Sequence, residues 1–324
     1  MKTDDFDYAL PEELIASRPL ERREDSRMML VDRGTGAVSH HCFGEFSSMM
    51  GADDLVVLND TRVVRARFFS DDGKVELLRT EVFSPTTWKC MVRPGKRMKA
   101  GREVVVGGVR GTVQEVADDG ERIVEFESVV DEEKHGHLAL PPYFRRGDDG
   151  LDVERYQTVY AREAGAIAAP TAGLHFTPEI LEEVAHEFLT LHVGVGTFLP
   201  VRVDEVEEHR MHAERYEIGE GAAERIEGAD RVVAVGTTVT RVLEHCMRER
   251  GQVWAHRGET DIFIYPPYSF GRVGALLTNF HLPRSTLLML VSALAGRELI
   301  QEAYAEAIRE AYRFYSYGDC MLIV

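Results

Sequence analysis

The chain has 324 residues, of which 44% are hydrophobic and 29% are charged, a composition that excludes wholesale disorder. Its formal net charge of −17 at pH 7 argues against non-specific coating of nucleic-acid duplexes, but a local basic patch can still contact RNA. The four cysteines form no CxxC pair, which favours a reducing cytoplasm and provides no zinc-ribbon or dithiol motif. The longest apolar run, residues 287–295, is far shorter than the roughly 20 residues of a membrane-spanning helix, so we expect a soluble protein without a membrane partner.

The first 60 residues predict a helical start at 11–19 and then short strands, of which 55–58 is the clearest. The next stretch has a different pattern, because β-prone runs alternate with Gly and Asp-Gly turn signals. These runs are residues 74–83, 88–92, 102–106, 111–116 and 122–126. Short strands at this spacing are typical of a small barrel or sandwich.

From residue 140 onward the chain alternates between helical patterns and short apolar runs. The predicted helices are 152–163, 178–188, 221–228, 239–250 and 297–312, and the predicted strands are 190–193, 232–235 and 262–265. Such alternation favours an α/β layer structure. We therefore predict a large α/β domain formed by residues 1–65 and 140–324, with a small all-β, barrel-like domain, residues 66–139, inserted into it.

Several polar segments follow predicted strands, where α/β folds place their sites. The segments NDTRVVRA, APTAGLHFT, TLHVGVGTFLP, TNFHLP and YRFYSYGD contain Asp60, His175, His192, His281 and Asp319. A single histidine between apolar neighbours is often a core residue, so a structural role and a functional role are both open at this point. In APTAGLHFT the last threonine, followed by proline, also predicts a capped helix start.

The segment AVGTTVTR predicts a strand that ends in a turn and opens a helix. Backbone N–H groups at such a helix start can hold an anionic group such as a carboxylate. Thr237, Thr238 and Arg241 lie at this position, and Asn279 follows another predicted strand. The alternative is an ordinary capped helix.

One basic stretch stands out in this acidic chain, since residues 86–102 contain no acidic side chain. Its six basic residues are Lys89, Arg93, Lys96, Arg97, Lys99 and Arg102. The pattern fits a surface of the β-domain that contacts phosphates, or a solvated hairpin.

Two other classes of function are weighed. A metal-dependent hydrolase could use His209, His212 and Glu214, although their spacing matches no HExxH motif. A non-catalytic RNA-binding module could combine the basic β-domain with aromatic side chains that stack on bases. These aromatic side chains are Phe263, Tyr265, Tyr268 and Phe270. The chain has no GxxxxGK[ST] and no GxSxG, which excludes P-loop NTPases and the usual esterase elbow.

Taken together, these segments, with DYALPEELIA, LPPY, ERYQTVYA and MHAERYEI, resemble the S-adenosylmethionine:tRNA ribosyltransferase-isomerase family over nearly the whole chain. The resemblance implies an α/β domain with an inserted small β-barrel and a reaction without metal. It implies transfer and isomerisation of the ribosyl part of S-adenosylmethionine onto 7-aminomethyl-7-deazaguanine at the tRNA wobble position. The products are epoxyqueuosine-tRNA, adenine and methionine.

This reaction needs a base for the C–H beside the sulfonium, and histidine is the natural candidate. We expect His175, His192 and His281 to form the acid–base pool, with Asp60 and Asp319 as orienting or cation-facing carboxylates. For S-adenosylmethionine, the co-substrate, we expect contacts from Thr237, Thr238, Arg241 and Asn279. For tRNA we expect contacts from the basic stretch, and we predict a cytoplasmic monomer.

The chain departs from the family pattern at Val239 and Thr240, at Pro267 and at Gly274. Two segments are also shorter, one after NDTRVVRARF and one between APTAGLHFT and LHVGVGTF. If these positions touch substrate, affinity is expected to differ.

Overall fold

The computed structural model describes residues 1–194, 196 and 201–324. Their strands are, in chain order, β1 (Arg27–Val31), β2 (Val38–Cys42), β3 (Asp54–Asn59), β4 (Thr61–Val63), β5 (Arg67–Phe69), β6 (Glu76–Ser84), β7 (Thr87–Arg93), β8 (Glu103–Val106), β9 (Val109–Val116), β10 (Arg122–Phe126), β11 (Glu163–Ala166), β12 (His186–Leu191), β13 (Glu214–Ile218), β14 (Arg231–Val235), β15 (His256–Thr260), β16 (Val273–Asn279) and β17 (Cys320–Ile323). Their α-helices are α1 (Glu132–His135), α2 (Gly150–Arg155), α3 (Pro178–Glu182), α4 (Glu220–Gly228), α5 (Thr237–Arg250), α6 (Thr286–Ala295) and α7 (Arg297–Arg309). Within the described ranges, no helix is long and apolar enough to cross a membrane.

The chain divides into two compact units. The first unit comprises Met1–Arg62, Pro142–Arg145 and Glu154–Val324, and the second comprises Val63–Pro141 and Arg146–Val153. The segment Arg146–Val153 therefore packs with the β-rich unit, although the sequence placed it in the α/β domain. One reason is Asp148, whose carboxylate binds the His137 ring at 2.9 Å and accepts the backbone N–H of Leu138 at 2.9 Å.

The first unit contains a nine-stranded mixed sheet in the order β15-β13-β12-β3-β14-β16-β17-β1-β2. Four neighbouring strands, β12, β3, β14 and β16, run parallel, so their carboxyl ends meet at one edge of the sheet. The central strand β3 is buried along its whole length, as expected for a strand covered on both faces. Two hydrophobic clusters pack against the sheet, one around Val57 and Leu276 and the other around Leu58 and Leu277.

The second unit contains a six-stranded antiparallel sheet in the order β5-β6-β7-β10-β9-β8. Its two edges meet, because the N–H of Asp71, just after β5, donates to the carbonyl of Val105 on β8 at 2.8 Å. The core is centred on Trp88, whose ring lies 4.7 Å from that of Phe68 and 4.6 Å from that of Phe126. The predicted combination of an α/β fold with a β-rich, barrel-like part is confirmed at this level.

Several predicted elements match the structure and others do not. Thr177 caps α3 and Ser285 caps α6, each accepting the N–H of the residue three positions later. The helix predicted over 178–188 ends at Glu182, because the chain then joins the sheet as β12, parallel to β3. The strand predicted at 262–265 is wrong. There the N–H of Ile262 donates to the Thr260 hydroxyl and its carbonyl accepts from Arg241, so side chains replace the ladder.

Candidate active site

A cavity of about 290 Å³ lies where the parallel strands of the first unit end. Its walls come from the segments that follow β11, β12, β14 and β16 and from two short loops. They are Pro142, Tyr143, Ala168, Ala169, Pro170, Thr171, Ala172, Val193, Gly236, Thr237, Thr238, Thr278, Asn279, Phe280, His281, Leu282, Ser285, Leu287, Tyr315 and Ser316. The carboxyl edge of a parallel sheet is the usual ligand site of open α/β folds.

The first turn of α5 opens onto this cavity. Gly236 precedes the helix with φ +88°, a left-handed conformation that favours glycine, and it directs the chain from β14 into α5. Thr237 and Thr238 then line the cavity. The free N–H groups of a helix start favour an anion. The structure thus places both predicted threonines at the cavity.

His281 lines the cavity and is held on three sides. Its ring Nε2 lies 2.8 Å from the Thr278 hydroxyl, and its backbone N–H donates to the Tyr304 hydroxyl at 2.9 Å. Its carbonyl accepts from the Tyr8 hydroxyl. Burial lowers the pKa of His281 to about 3, so the ring is neutral at pH 7.

Asn279 lines the cavity and also reaches behind its wall. Its Nδ2 lies 3.2 Å from the carbonyl of Tyr315, 3.4 Å from the carbonyl of Asp319 and 3.2 Å from Nε2 of His175. Its Oδ1 is buried and has no hydrogen-bond partner in the described part of the chain. A buried acceptor without a donor is costly, so this oxygen is suited to a ligand that brings one.

His175 is fully buried and does not line the cavity. Its Nδ1 lies 2.9 Å from the Ser26 hydroxyl, and its ring packs 5.3 Å from that of Phe43. Burial, together with the positive charges of Arg23 and Arg313, lowers its pKa to about 3. Its contact with Asn279, at 3.2 Å, links it to a residue that lines the cavity.

Asp60 and His192 form a neighbouring polar group that the cavity walls do not include. The Asp60 carboxylate accepts from Arg162 at 2.8 Å and from the Thr190 hydroxyl at 2.6 Å. His192 is half-buried, with Nδ1 2.8 Å from the Thr61 hydroxyl. Burial lowers the pKa of His192, although the charges of Glu163 and Asp60 oppose the shift.

Asp319 and Arg241 are engaged within the protein. The Asp319 carboxylate accepts the backbone N–H groups of Arg27 at 3.0 Å and Arg313 at 2.8 Å, and burial raises its pKa. Arg241 forms a buried ion pair with Glu214 and donates to the carbonyls of Ile262 and Thr260. Neither side chain lines the cavity, so the geometry gives no support to the ligand-facing roles expected for them.

The six predicted RNA-contacting residues lie on the second unit. Lys89 on β7 is partly buried and bonds the Asp119 carboxylate at 2.6 Å, which raises its pKa. Its charge is therefore already neutralised. The other five side chains are exposed: Arg93, Lys96, Arg97, Lys99 and Arg102. None of these five has an ion pair within the described residues.

The features behind the two alternative functions do not assemble into sites. Glu214 is paired with Arg241, and the ring of His209 packs 5.3 Å from Phe263. In the ranges the structure describes, no three His, Cys, Asp or Glu side chains are grouped to hold a metal ion. The four aromatic residues considered for base stacking are partly buried and pack against the core.

Comparison with known proteins identifies the family. A sequence model of the family described as queuosine biosynthesis protein matches residues 3–323. The chain belongs to this family. The resemblance stated from the motifs is thus confirmed, as is the prediction of a transferase-isomerase of queuosine biosynthesis at the level of the family.

Individual relatives share the whole length of the chain. A protein of Geobacter metallireducens named S-adenosylmethionine:tRNA ribosyltransferase-isomerase is 49% identical, with 100% of both chains covered. A protein of the same name from Desulfitobacterium hafniense is 47% identical, again with 100% of both chains covered. This chain is also similar to the crystal structure of S-adenosylmethionine tRNA ribosyltransferase from Thermotoga maritima, with a TM-score of 0.57 and 37% sequence identity. The match covers 99% of this chain and 100% of that one.

Within this family fold, the structure also shows cavity residues that the sequence reasoning missed. Tyr143 and Ser316 line the cavity, and their hydroxyl oxygens are 2.5 Å apart. Tyr143 lies in the motif LPPY and Ser316 in YRFYSYGD, so their place in these motifs could have identified them as candidates. The departures from the family pattern at Val239, Pro267 and Gly274 do not line the cavity.

Proposed function

We propose that the chain transfers and isomerises the ribosyl part of S-adenosylmethionine onto 7-aminomethyl-7-deazaguanine at the tRNA wobble position. The products are epoxyqueuosine-tRNA, adenine and methionine. One observation carries the proposal: family motifs that are far apart in sequence converge on one cavity. Residues of LPPY, APTAGLHFT, VGTT, TNFHLP and YRFYSYGD all line it. Its volume is of the order found for small-molecule sites, about 300 Å³ and above.

S-adenosylmethionine is proposed to bind with its carboxylate at the start of α5. The N–H groups of the first turn and the hydroxyls of Thr237 and Thr238 supply donors for that carboxylate. The unpaired Oδ1 of Asn279 is proposed to accept from an amino or hydroxyl group of the same ligand. Arg241 is left out of this proposal, because its donors are engaged by Glu214 and by two carbonyls.

His281 is proposed to act in proton transfer, since it is the one of the three predicted histidines that lines the cavity. A neutral imidazole tolerates the sulfonium cation nearby, whereas an imidazolium would repel it. Burial keeps the His281 imidazole uncharged at pH 7, the form that can accept the C5′ proton and pass it to the departing adenine. Overall, C1′ loses adenine and the ring oxygen and gains the amine nitrogen and C5′. C5′ loses its proton and methionine, which leaves with the electron pair of the C–S bond, and gains C1′ and the ring oxygen as the epoxide. The C5′ proton leaves on adenine, and the amine releases its own proton.

Four other predicted residues are proposed to contribute to the reaction without lining the cavity: His192, Asp60, His175 and Asp319. The tRNA is proposed to contact the exposed basic side chains between Arg93 and Arg102. This electrostatic contact predicts binding that weakens as salt rises.

The test is a turnover assay with S-adenosylmethionine and tRNA that carries 7-aminomethyl-7-deazaguanine. Adenine release and the mass of the modified nucleoside are measured together. We expect release that depends on the aminomethyl base, and His281→Gln should lower it by roughly 10²–10⁴-fold if His281 transfers the proton. The matched control is His41→Gln, on the outer strand β2. Binding of tRNA without adenine release by the wild type would contradict the proposal.

A further inference from the structure

A second, much smaller pocket of the first unit is rich in arginine. Arg22, Arg23 and Arg155 line it, together with Ser26 and His175. Ser316 lines both this pocket and the 290 Å³ cavity, so the two are neighbours. The pocket has a volume of about 20 Å³. That is room for one or two small atoms and not for a ring.

Of the three arginines that line this pocket, Arg22 pairs with Glu24 at 2.7 Å, whereas Arg23 and Arg155 form no ion pair among the described residues. Arg23 donates to the carbonyls of Leu174 at 2.8 Å and Gln157 at 3.0 Å, and Arg155 donates to the carbonyl of Glu21 at 3.0 Å. Arg313, whose charge acts on His175, donates to the carbonyl of Arg18. None of Arg23, Arg155 and Arg313 has an ion pair with any carboxylate that the structure describes.

The donors of this group are not all used. Arg155 Nε and Arg313 Nη1 are buried and have no acceptor among the described residues. Among the acidic groups nearby, Glu24 pairs with Arg22, and Asp319 accepts backbone N–H groups. The exposed Glu154 acts on Arg23 through its charge. Asp319 supplies a nearby negative charge to Arg313, whereas Arg23 and Arg155 have no ion pair among the described residues, which is costly in a partly buried site. In a chain with 55 acidic and 38 basic residues, such a site favours an external anion.

We propose that Arg23 and Arg155 bind a backbone phosphate of tRNA next to the nucleotide whose base enters the cavity. The inference rests on the proposed function, since it takes tRNA as the substrate. Guanidinium groups are the preferred partners of phosphate oxygens, and the small pocket admits those oxygens alone. An enzyme that acts on one base takes it from a single strand or extrudes it from a stack, and a phosphate anchor beside the cavity would fix the position of that nucleotide.

The experiment uses Arg155→Gln, because Arg155 donates to fewer backbone carbonyls than Arg23 does, so its loss disturbs the fold less. The KM for tRNA and the KM for S-adenosylmethionine are measured by adenine release over a series of KCl concentrations. We expect the KM for tRNA to rise about tenfold, with the KM for S-adenosylmethionine unchanged. The log–log salt slope of tRNA binding should fall by roughly 0.7–0.9, the value for one phosphate contact.

Two controls separate charge from folding. Arg155→Lys keeps the charge and should keep the salt slope. Arg257→Gln removes an exposed arginine of β15, paired with Glu217 at 2.8 Å, and should change neither KM. A salt slope for Arg155→Gln equal to that of the wild type would overturn the inference, as would a rise in the KM for S-adenosylmethionine alone, which would assign the anion to its carboxylate. Wild-type protein that binds tRNA but releases no adenine would instead contradict the proposed function.

Discussion

The buried ion pair between Arg241 and Glu214 gives the sharpest test of a structural role against a ligand-binding role. Both side chains are about 5% exposed, and Glu214 also accepts the N–H of Gly194 at 3.1 Å. Arg241→Met would leave the Glu214 carboxylate buried without its cation. Breaking a buried pair from one side costs about 3–5 kcal/mol of the free energy of unfolding.

For a unit of this size, that loss corresponds to a fall in Tm of roughly 6–20 °C, measured by calorimetry or circular dichroism. The double variant Arg241→Met/Glu214→Leu removes both charges and should recover most of the loss, because no unpaired charge is left. At a temperature where all three proteins are folded, the KM for S-adenosylmethionine should agree within about twofold. A single variant with unchanged Tm but a strongly raised KM would refute this reasoning and return Arg241 to the ligand.

Three further outcomes are expected. Since the pKa of His175 is about 3 in the folded protein and 6.5 in its reference state, the unfolded chain takes up the proton first as pH falls. The stability due to neutral His175 is thus complete above pH 6.5 and is reduced by about 2 kcal/mol at pH 5. Between pH 7.5 and 5, the free energy of unfolding of His175→Gln should therefore fall by about 2 kcal/mol less than that of the wild type, as measured by denaturant titration. Replacing Lys96, Arg97 and Lys99 together by Gln should flatten the salt dependence of tRNA binding by up to about three phosphate contacts, and an unchanged slope would place the tRNA elsewhere. Ser285→Ala removes the cap of α6 and should lower the free energy of unfolding by about 1 kcal/mol in the same titrations, with Ser285→Asp close to wild type.

The sequence predicted elements best where local signals and tertiary contacts agree. The five β-prone runs of the second unit all became strands, because alternating side chains and Gly turns specify hairpins locally. The predicted helix over 152–163 stops at Arg155, and Glu163–Ala166 is a strand. Helical spacing over a few turns did not outweigh pairing with another strand.

The candidate site was predicted in part for the same reason. Thr237 follows β14, Asn279 ends β16 and His281 follows it, so position in the fold brings all three to the cavity. The interpretation of Arg241 as ligand-facing depended on its charge and its place near a predicted helix start, and that of Asp319 on its charge and its place in YRFYSYGD. Sequence does not show that Glu214, 27 positions away, takes the charge of Arg241, or that two N–H groups take the carboxylate of Asp319.

The position of β17 has a consequence for how the protein is made. β17 lies inside the nine-stranded sheet, between β16 and β1, and Met28 pairs in parallel with Cys320. At about 5–20 residues per second, the ribosome needs roughly 15–60 s to produce Cys320 after Met28. During that time β1 lacks its permanent neighbour and exposes an unpaired edge. The first unit is therefore expected to complete its sheet only after synthesis reaches β17, whereas the strands of the second unit are contiguous and can pair while the chain is still growing.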